Sequence, residues 1–137
     1  MMKLRMRQNI IINDGPYFAL AAGNSGEDAK NHSPARVGGI SDTDNIFTIA
    51  AIDNNNQMPS WSNYGEDMEY AAPGVSVFSL WKDGGTKTIS GTSMAAPHAC
   101  AVLMLTGAGS DGSFASNHPD NNNDNGEYPI IHTVVSE

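Results

Sequence analysis

The chain has 137 residues, with 7 Lys and Arg against 15 Asp and Glu, a formal charge of −8 at neutral pH. That length suits one domain with one core; the ordinary apolar content of 39% argues against wholesale disorder; and an acidic chain without a basic stripe excludes nucleic-acid binding. Cys100 is the one cysteine, which excludes an internal disulfide, and no run nears the roughly 20 apolar residues of a membrane span.

Met1 to Asn13 reads equally as a helix end or a ragged terminus. Its basic start is followed only by Ile10, Ile11 and Ile12, short of the roughly 7–15 apolar residues of a signal peptide. If the protein is secreted, its signal is expected outside this sequence. Tyr17 to Ala22 is a short apolar run ended by Gly23-Asn24, which predicts a buried strand entering a loop. Ile46 to Ile52 repeats the pattern and is broken by Asp-Asn-Asn-Asn. A Pro-Gly turn at 73–74 precedes a strand from Val75 to Leu80. Asp-Gly-Gly at 83–85 then predicts a hairpin, with Thr-Lys-Thr-Ile-Ser as its return. Strands apolar on both faces, mixed with a buried helix, indicate an α/β sheet protein. Beyond Gly107 the chain turns rich in Gly, Ser, Asn and Asp without a period. It reads as loop and tail, with Tyr-Pro-Ile-Ile-His-Thr-Val-Val as one edge strand.

The segment Ser-Gly-Thr-Ser-Met-Ala-Ala-Pro-His-Ala-Cys, residues 90–100, starts a helix that runs to about Leu105. With Thr92 as N-cap, Ser93 is the first helical residue, beside the unpaired N–H groups and positive end of the helix. Negative charge developing there is stabilised, which is what acyl transfer requires. The helix body is apolar nearly all round, so it is expected to be buried. Pro97 lacks the N–H that would bond the Ser93 carbonyl. These residues alone leave two readings open: a capped core helix with an incidental serine, or a nucleophile aimed from a helix mouth.

Gly-Thr-Ser-Met-Ala-Ala-Pro-His, residues 91–98, closely resembles the serine motif of the subtilisin-like serine proteases. Three further segments resemble that family in its order: Ala-Ala-Gly-Asn-Ser-Gly at 21–26, Phe47 to Gly65, and Tyr70 to Ser79. Asn24 and Ser93 are 69 residues apart, against about 66 for the oxyanion Asn and nucleophile of subtilisin. The resemblance, over roughly residues 15–107, implies a partial three-layer α/β fold with a mostly parallel sheet and a buried helix starting at the serine. It implies Ser93 as nucleophile and Asn24, with the Ser93 N–H, as the oxyanion hole. It implies that Ala22 and Gly23 line the substrate, Gly23 letting the chain lie flat and the strand at 17–22 forming one wall of the specificity pocket. Gly-Asn-Ser-Gly is also an ordinary turn; its distance from Ser93 favours the oxyanion role.

The family's base lies roughly 150 residues before its serine, yet 92 residues precede Ser93 and neither Asp-Thr-Gly nor His-Gly-Thr occurs. The resemblance thus implies the C-terminal part of a catalytic domain. On that resemblance residues 1–107 are expected to be a truncated subtilisin-like peptidase domain and 108–137 an Asn-, Gly- and Ser-rich loop and tail. His98 belongs to the serine motif and is expected to point away from Ser93. His32, His118 and His132 read as solvated or packing residues, and Cys100 as a small core residue. Trp61 and Trp81 read as packing residues. Asp-Asn-Asn-Asn-Asp-Asn-Gly-Glu at 120–127 is faintly similar to a calcium loop, but its glycine is one place late and position twelve is Ile131. No cofactor is required; structural calcium fits the family but has no located site here.

Two functions follow as expectations. The first is a serine-type endopeptidase that hydrolyses peptide bonds through an acyl-enzyme. Peptide or protein is its substrate, and an upstream segment or companion chain supplies Asp and His. The second is an inactive remnant that at most binds peptide along an exposed strand edge. The isolated chain is expected to be inactive and to be unstable or to self-associate. No nucleic acid or membrane partner is expected; secretion is, by family resemblance.

Overall fold

The computed structural model describes residues 16–38, 45–106, 109–116 and 128–132. Its frame is a five-stranded sheet of β1 (Phe18–Ala21), β2 (Ile46–Ile52), β3 (Tyr70–Pro73), β6 (Ser110–Ala115) and β7 (Tyr128–Ile131), in the order β1-β2-β3-β7-β6. The first four neighbours run parallel and β6 returns antiparallel. A separate hairpin joins β4 (Val77–Leu80) to β5 (Thr86–Ile89), and α1 spans Thr92–Thr106. The mostly parallel α/β sheet is the one expected.

β2 is the spine. Its side chains alternate, as a strand's must, and both faces are buried. Phe47, Ile49 and Ala51 join Ala95, Ala99 and Leu103 of α1 in one core; Ala50 and Ile52 join Ala71, Met58, Tyr128 and Ile130 in a second core on the other face. Small residues allow α1 to lie close. A Cβ on Gly74 would stand 2.7 Å from the Ala51 Cβ and 2.9 Å from the Gly91 carbonyl. Those residues sit where the Gly91 N–H donates to the Gly74 carbonyl at 2.8 Å. This contact pins the start of α1 to the end of β3.

Several expectations change. The strand at 17–22 is an edge strand rather than a buried one. Among the described residues only β2 pairs with it, and Phe18 is half exposed. α1 is buried on one face only. Ala95, Ala96, Ala99 and Leu103 face the sheet, while Pro97, His98, Ala101, Met104 and Leu105 are exposed. The apolar sequence of the helix carries no amphipathic stripe to mark the open side. β3 lies just before the Pro-Gly turn, where a run of four residues was too short to stand out. The loop expected after Gly107 contains β6, and the expected edge strand is interior, between β3 and β6. β6 is made of Ser-Asp-Gly-Ser-Phe-Ala, which has little strand propensity; its pairing with β7 decides its conformation. The hairpin turn falls at Asp-Gly as expected: Asp83 and Gly84 both have positive φ, 61° and 75°, and the Trp81 N–H donates to the Gly85 carbonyl at 2.7 Å, leaving Lys82–Gly84 as the tip.

The one-sided burial of α1 gives a direct stability test. Leu103→Ala should cost about 2–4 kcal/mol, by lost transfer energy and a cavity. Leu105→Ala, at a position 75% exposed, should cost less than about 0.5 kcal/mol. Urea unfolding of the two variants measures the difference; equal costs would contradict this placement of the helix.

Candidate functional site

In a parallel sheet the carboxyl ends of adjacent strands open onto one crevice. β1 ends there, and its chain continues into the loop Ala22–Glu27. Next to that loop stands the start of α1, 68 residues away in sequence. The two are tied by side chains. Asn24 Oδ1 accepts from the Thr92 backbone N–H at 2.9 Å and from the Thr92 hydroxyl at 3.0 Å. The Thr92 hydroxyl accepts in turn from the Gly23 N–H at 3.0 Å. Thr92 is fully buried while Asn24 is exposed, so these bonds are shielded from water on the Thr92 side.

The tie replaces the cap expected from the sequence. Thr92 is the first helical residue, and Gly91 supplies the capping carbonyl. That carbonyl accepts from the Met94 N–H at 2.9 Å and the Ala95 N–H at 3.4 Å. The Thr92 hydroxyl bonds the neighbouring loop, and it is Asn24 that caps the Thr92 N–H. Of the four N–H groups that a helix leaves unpaired at its start, three therefore have acceptors. The fourth, on Ser93, has none among the described residues.

Because Asn24 Oδ1 is held by two donors, its Nδ2 is turned the other way, again with no acceptor among the described residues. Both free donors border one small space. Asn24 Nδ2 lies 3.6 Å, and the Ser93 backbone nitrogen 3.8 Å, from the point where a Cβ on Gly91 would stand; Met94 Sδ is 3.6 Å from it. The structure thus brings Asn24 and Ser93 together around a point left empty by glycine. Ala22 is buried and Gly23 half-buried at the end of β1. A side chain on Gly23, whose φ is 108°, would strike the Asn63 amide. Glycine is therefore required there both by conformation and by space.

Ser93 is exposed and lines a groove of about 350 Å³ with Met94, Pro97 and His98 on the helix side and Val77, Leu80 and Trp81 on the hairpin side. Lys87 Nζ sits 4.5 Å above the Trp81 ring, which holds that wall. Trp81 is thus a groove wall, whereas Trp61 packs against the α1 core. His98 lines the same groove as Ser93, but its ring is bonded to its own helix. Its Nδ1 donates to the Met94 carbonyl at 2.7 Å, filling in beside the bond that Pro97 cannot make. Among the described residues no imidazole or carboxylate is hydrogen-bonded to Ser93. His32 pairs with Glu27 at 3.0 Å and His132 with Asp111 at 3.7 Å. Cys100 is half-buried on α1. His118 and the segment 120–127 lie outside the described residues. No group of three or more His, Cys, Asp or Glu among the described residues could hold a metal, and no described helix is long and apolar enough to cross a membrane.

Sequence reasoning missed Asn63. It lies in Ser-Trp-Ser-Asn-Tyr-Gly, a turn with no outward sign of chemistry, yet its buried side chain binds both limbs of the Asn24 loop. The available signal was the loop itself, whose glycines and polar residues need bonding partners that they cannot supply to one another.

The sequence model described as the Subtilase family matches residues 4–123. The chain is 44% identical over 104 residues to the cuticle-degrading serine protease of Arthrobotrys oligospora, covering 74% of this chain and 24% of that protein. It is 45% identical over 95 residues to alkaline serine exoprotease A of Vibrio alginolyticus (69% and 16% covered) and 43% identical over 96 residues to proteinase R of Parengyodontium album (68% and 23%). Among solved structures, a cold adapted subtilisin-like serine proteinase superposes with a TM-score of 0.67 at 32% identity, over 88% of this chain and 46% of that one. The chain spans about a quarter or less of the length of these curated relatives.

Acidic groups flank the far end of the Asn24 loop. Burial opposes ionisation of Asp28, but bonds from the Lys30 N–H and ammonium outweigh it and hold the carboxyl below its ordinary value. Asp67 is pushed up, by burial and then by the charges of Asp28 and Glu66. A raised carboxyl favours the fold only while protonated, and that favour is lost as pH rises through its folded pKa; a lowered one favours the fold until pH falls through its own. Asp67→Asn should therefore raise the unfolding free energy measured in urea at about pH 7, by roughly a few tenths of a kcal/mol after solvent screening. The gain should vanish below about pH 3, where Asp67 is protonated in both states. Asp28→Asn should act in the opposite sense at neutral pH. Identical responses from the two variants would contradict the assignment.

Proposed function

The chain belongs to the subtilase family, and from that membership we propose that it carries the nucleophile and oxyanion half of a serine endopeptidase site acting on peptides or proteins. Ser93 Oγ attacks the scissile carbonyl, and its proton passes to an imidazole. The oxyanion receives hydrogen bonds from Asn24 Nδ2 and the Ser93 N–H. On collapse the leaving amine takes the proton, an ester forms on Ser93, and water releases the acid by the same steps in reverse. The observation that carries this reading is the convergence of two unpartnered donors at the mouth of α1. Each donor aimed at a developing oxyanion is worth roughly 3 kcal/mol. Ala22 and Gly23, ending β1 beside that point, line the substrate.

The imidazole and its aspartate come from an upstream segment or a companion chain carrying the Asp-Thr-Gly and His-Gly-Thr motifs. The groove between α1 and the hairpin, with Ser93 in its wall, is open to such a segment. Secretion is expected from the family resemblance. The absence of a described base on Ser93 favours a second reading for the chain alone: a remnant that binds peptide along the free edge of β1.

A fluorophosphonate probe separates the two. On the first reading Ser93 is unlabelled in the chain alone and labelled once the upstream segment is added. Ser93→Ala then abolishes labelling, and Asn24→Ala slows it by about 100-fold. No labelling under either condition leaves only the peptide-binding reading.

A further inference from the structure

Asn24 is fixed at its tip by Thr92, but a donor's aim also depends on the backbone that carries it. The Ala22–Glu27 loop has no helix or strand of its own. Its backbone groups converge on Asn63, which is fully buried in the turn beneath it. Asn63 Oδ1 accepts from the Ser25 N–H at 3.0 Å and from the Glu27 N–H at 3.1 Å. Asn63 Nδ2 donates to the Ala22 carbonyl at 2.9 Å, and the Asn63 backbone N–H donates to the Gly23 carbonyl at 2.9 Å. The loop residues bound are the two before Asn24 and two of the three after it; Asn24 itself is untouched. Two further bonds, from the Gly26 N–H to the Trp61 carbonyl at 2.9 Å and from the Tyr64 N–H to the Glu27 carbonyl at 3.1 Å, complete the seat.

The chemistry demands an amide. The two N–H groups need an acceptor and the Ala22 carbonyl needs a donor, all within reach of one short side chain. A leucine offers neither, a serine reaches too little, and an ionised aspartate offers no donor. The amide's orientation is fixed by the same pattern, since a flip would set its NH2 against two N–H groups and its oxygen against a carbonyl. Burial raises the cost of leaving any of these groups unpaired.

We infer that Asn63 is a positioning residue for acyl transfer: it holds the loop so that the Asn24 donor faces the space beside Ser93. This rests on the oxyanion role proposed for Asn24. Its structural part is tested without turnover, by amide exchange and by the side-chain NH2 signals of Asn24 in the 137-residue chain. Asn63→Ala should speed exchange of the Ser25 and Glu27 amides by about tenfold or more. It should also move the Asn24 signals and leave the β2 and β3 amides protected. Unchanged Ser25 and Glu27 exchange, or faster exchange with unmoved Asn24 signals, overturns the inference.

Asn63→Asp decides the matter if the alanine variant fails to fold. The aspartate keeps both acceptor bonds, but only its protonated form can donate to the Ala22 carbonyl. Burial and that carbonyl raise its pKa, so the loop should be held at about pH 5 and released toward about pH 8. Equal protection of the Ser25 and Glu27 amides at both pH values, after correction for the intrinsic pH dependence of exchange, overturns the inference. In the complemented enzyme Asn63→Ala should lower kcat with little change in KM, because the donor acts in the transition state. Failure of the acyl-transfer reading itself has a different signature. Asn24→Ala would then react with the fluorophosphonate like the unsubstituted chain, and the exchange result for Asn63 would stand on its own.

Discussion

One hydrogen-bonded tie governs the site: the carboxamide oxygen of Asn24 on the N–H and hydroxyl of Thr92. It does two jobs at once. It satisfies the first unpaired N–H of α1, which a buried helix start requires. By occupying the oxygen of the amide it also turns the nitrogen outward, so a structural bond sets the direction of a chemical group. The fold supplies the meeting place. β1 and β3 run parallel, so the loop after β1 and the turn after β3 emerge on the same side of the sheet. The Gly91–Gly74 bond then anchors the helix beside them. Without the parallel register, residues so distant in sequence would not share a boundary.

Glycine and buried amides divide the remaining work. Gly23, Gly74 and Gly91 are gaps where backbone or donor groups approach one another. Thr92, Asn63 and Ser62 are the buried polar side chains around them. Ser62 accepts from the Ala51 N–H at 3.1 Å and donates to the Asn63 carbonyl at 3.2 Å, linking the spine strand to the loop seat. The site is thus held by bonded polar groups at the rim of an alanine-rich core. Alanine permits the close approach; the amides and hydroxyls fix the register of what approaches.

Much of this was legible in the sequence, for reasons that differ by element. β2 announced itself because six apolar residues and one Thr, rich in Ile and Phe and bounded by Asp-Asn-Asn, leave little choice. The hairpin followed from Asp-Gly, whose backbone preference is local. Ser93 and Asn24 were found through motif and spacing, and the structure brings them to one space. The misses all arise where tertiary context decides. A uniformly apolar helix carries no record of which face meets the sheet, so the exposure of Met104 and Leu105 could not be read. β6 is a strand because β7 offers it an edge, and Ser-Asp-Gly-Ser states no such preference. Thr92 was read as a cap because caps are local and common, whereas its partner is 68 residues away. Asn63 was hidden because its bonds go to a loop that folds over it.

The hairpin has a consequence in time. Its pairs, from Leu80–Thr86 to Val77–Ile89, close short loops, whereas β1 meets β2 only across the segment between them. Closure entropy grows with separation, and local pairs form in microseconds. By that entropy the Trp81 side of the groove is expected to assemble before the Asn24 side, whose tie to Thr92 closes 68 residues. A half-folded chain then presents the Ser93 hydroxyl before the Asn24 amide has joined it.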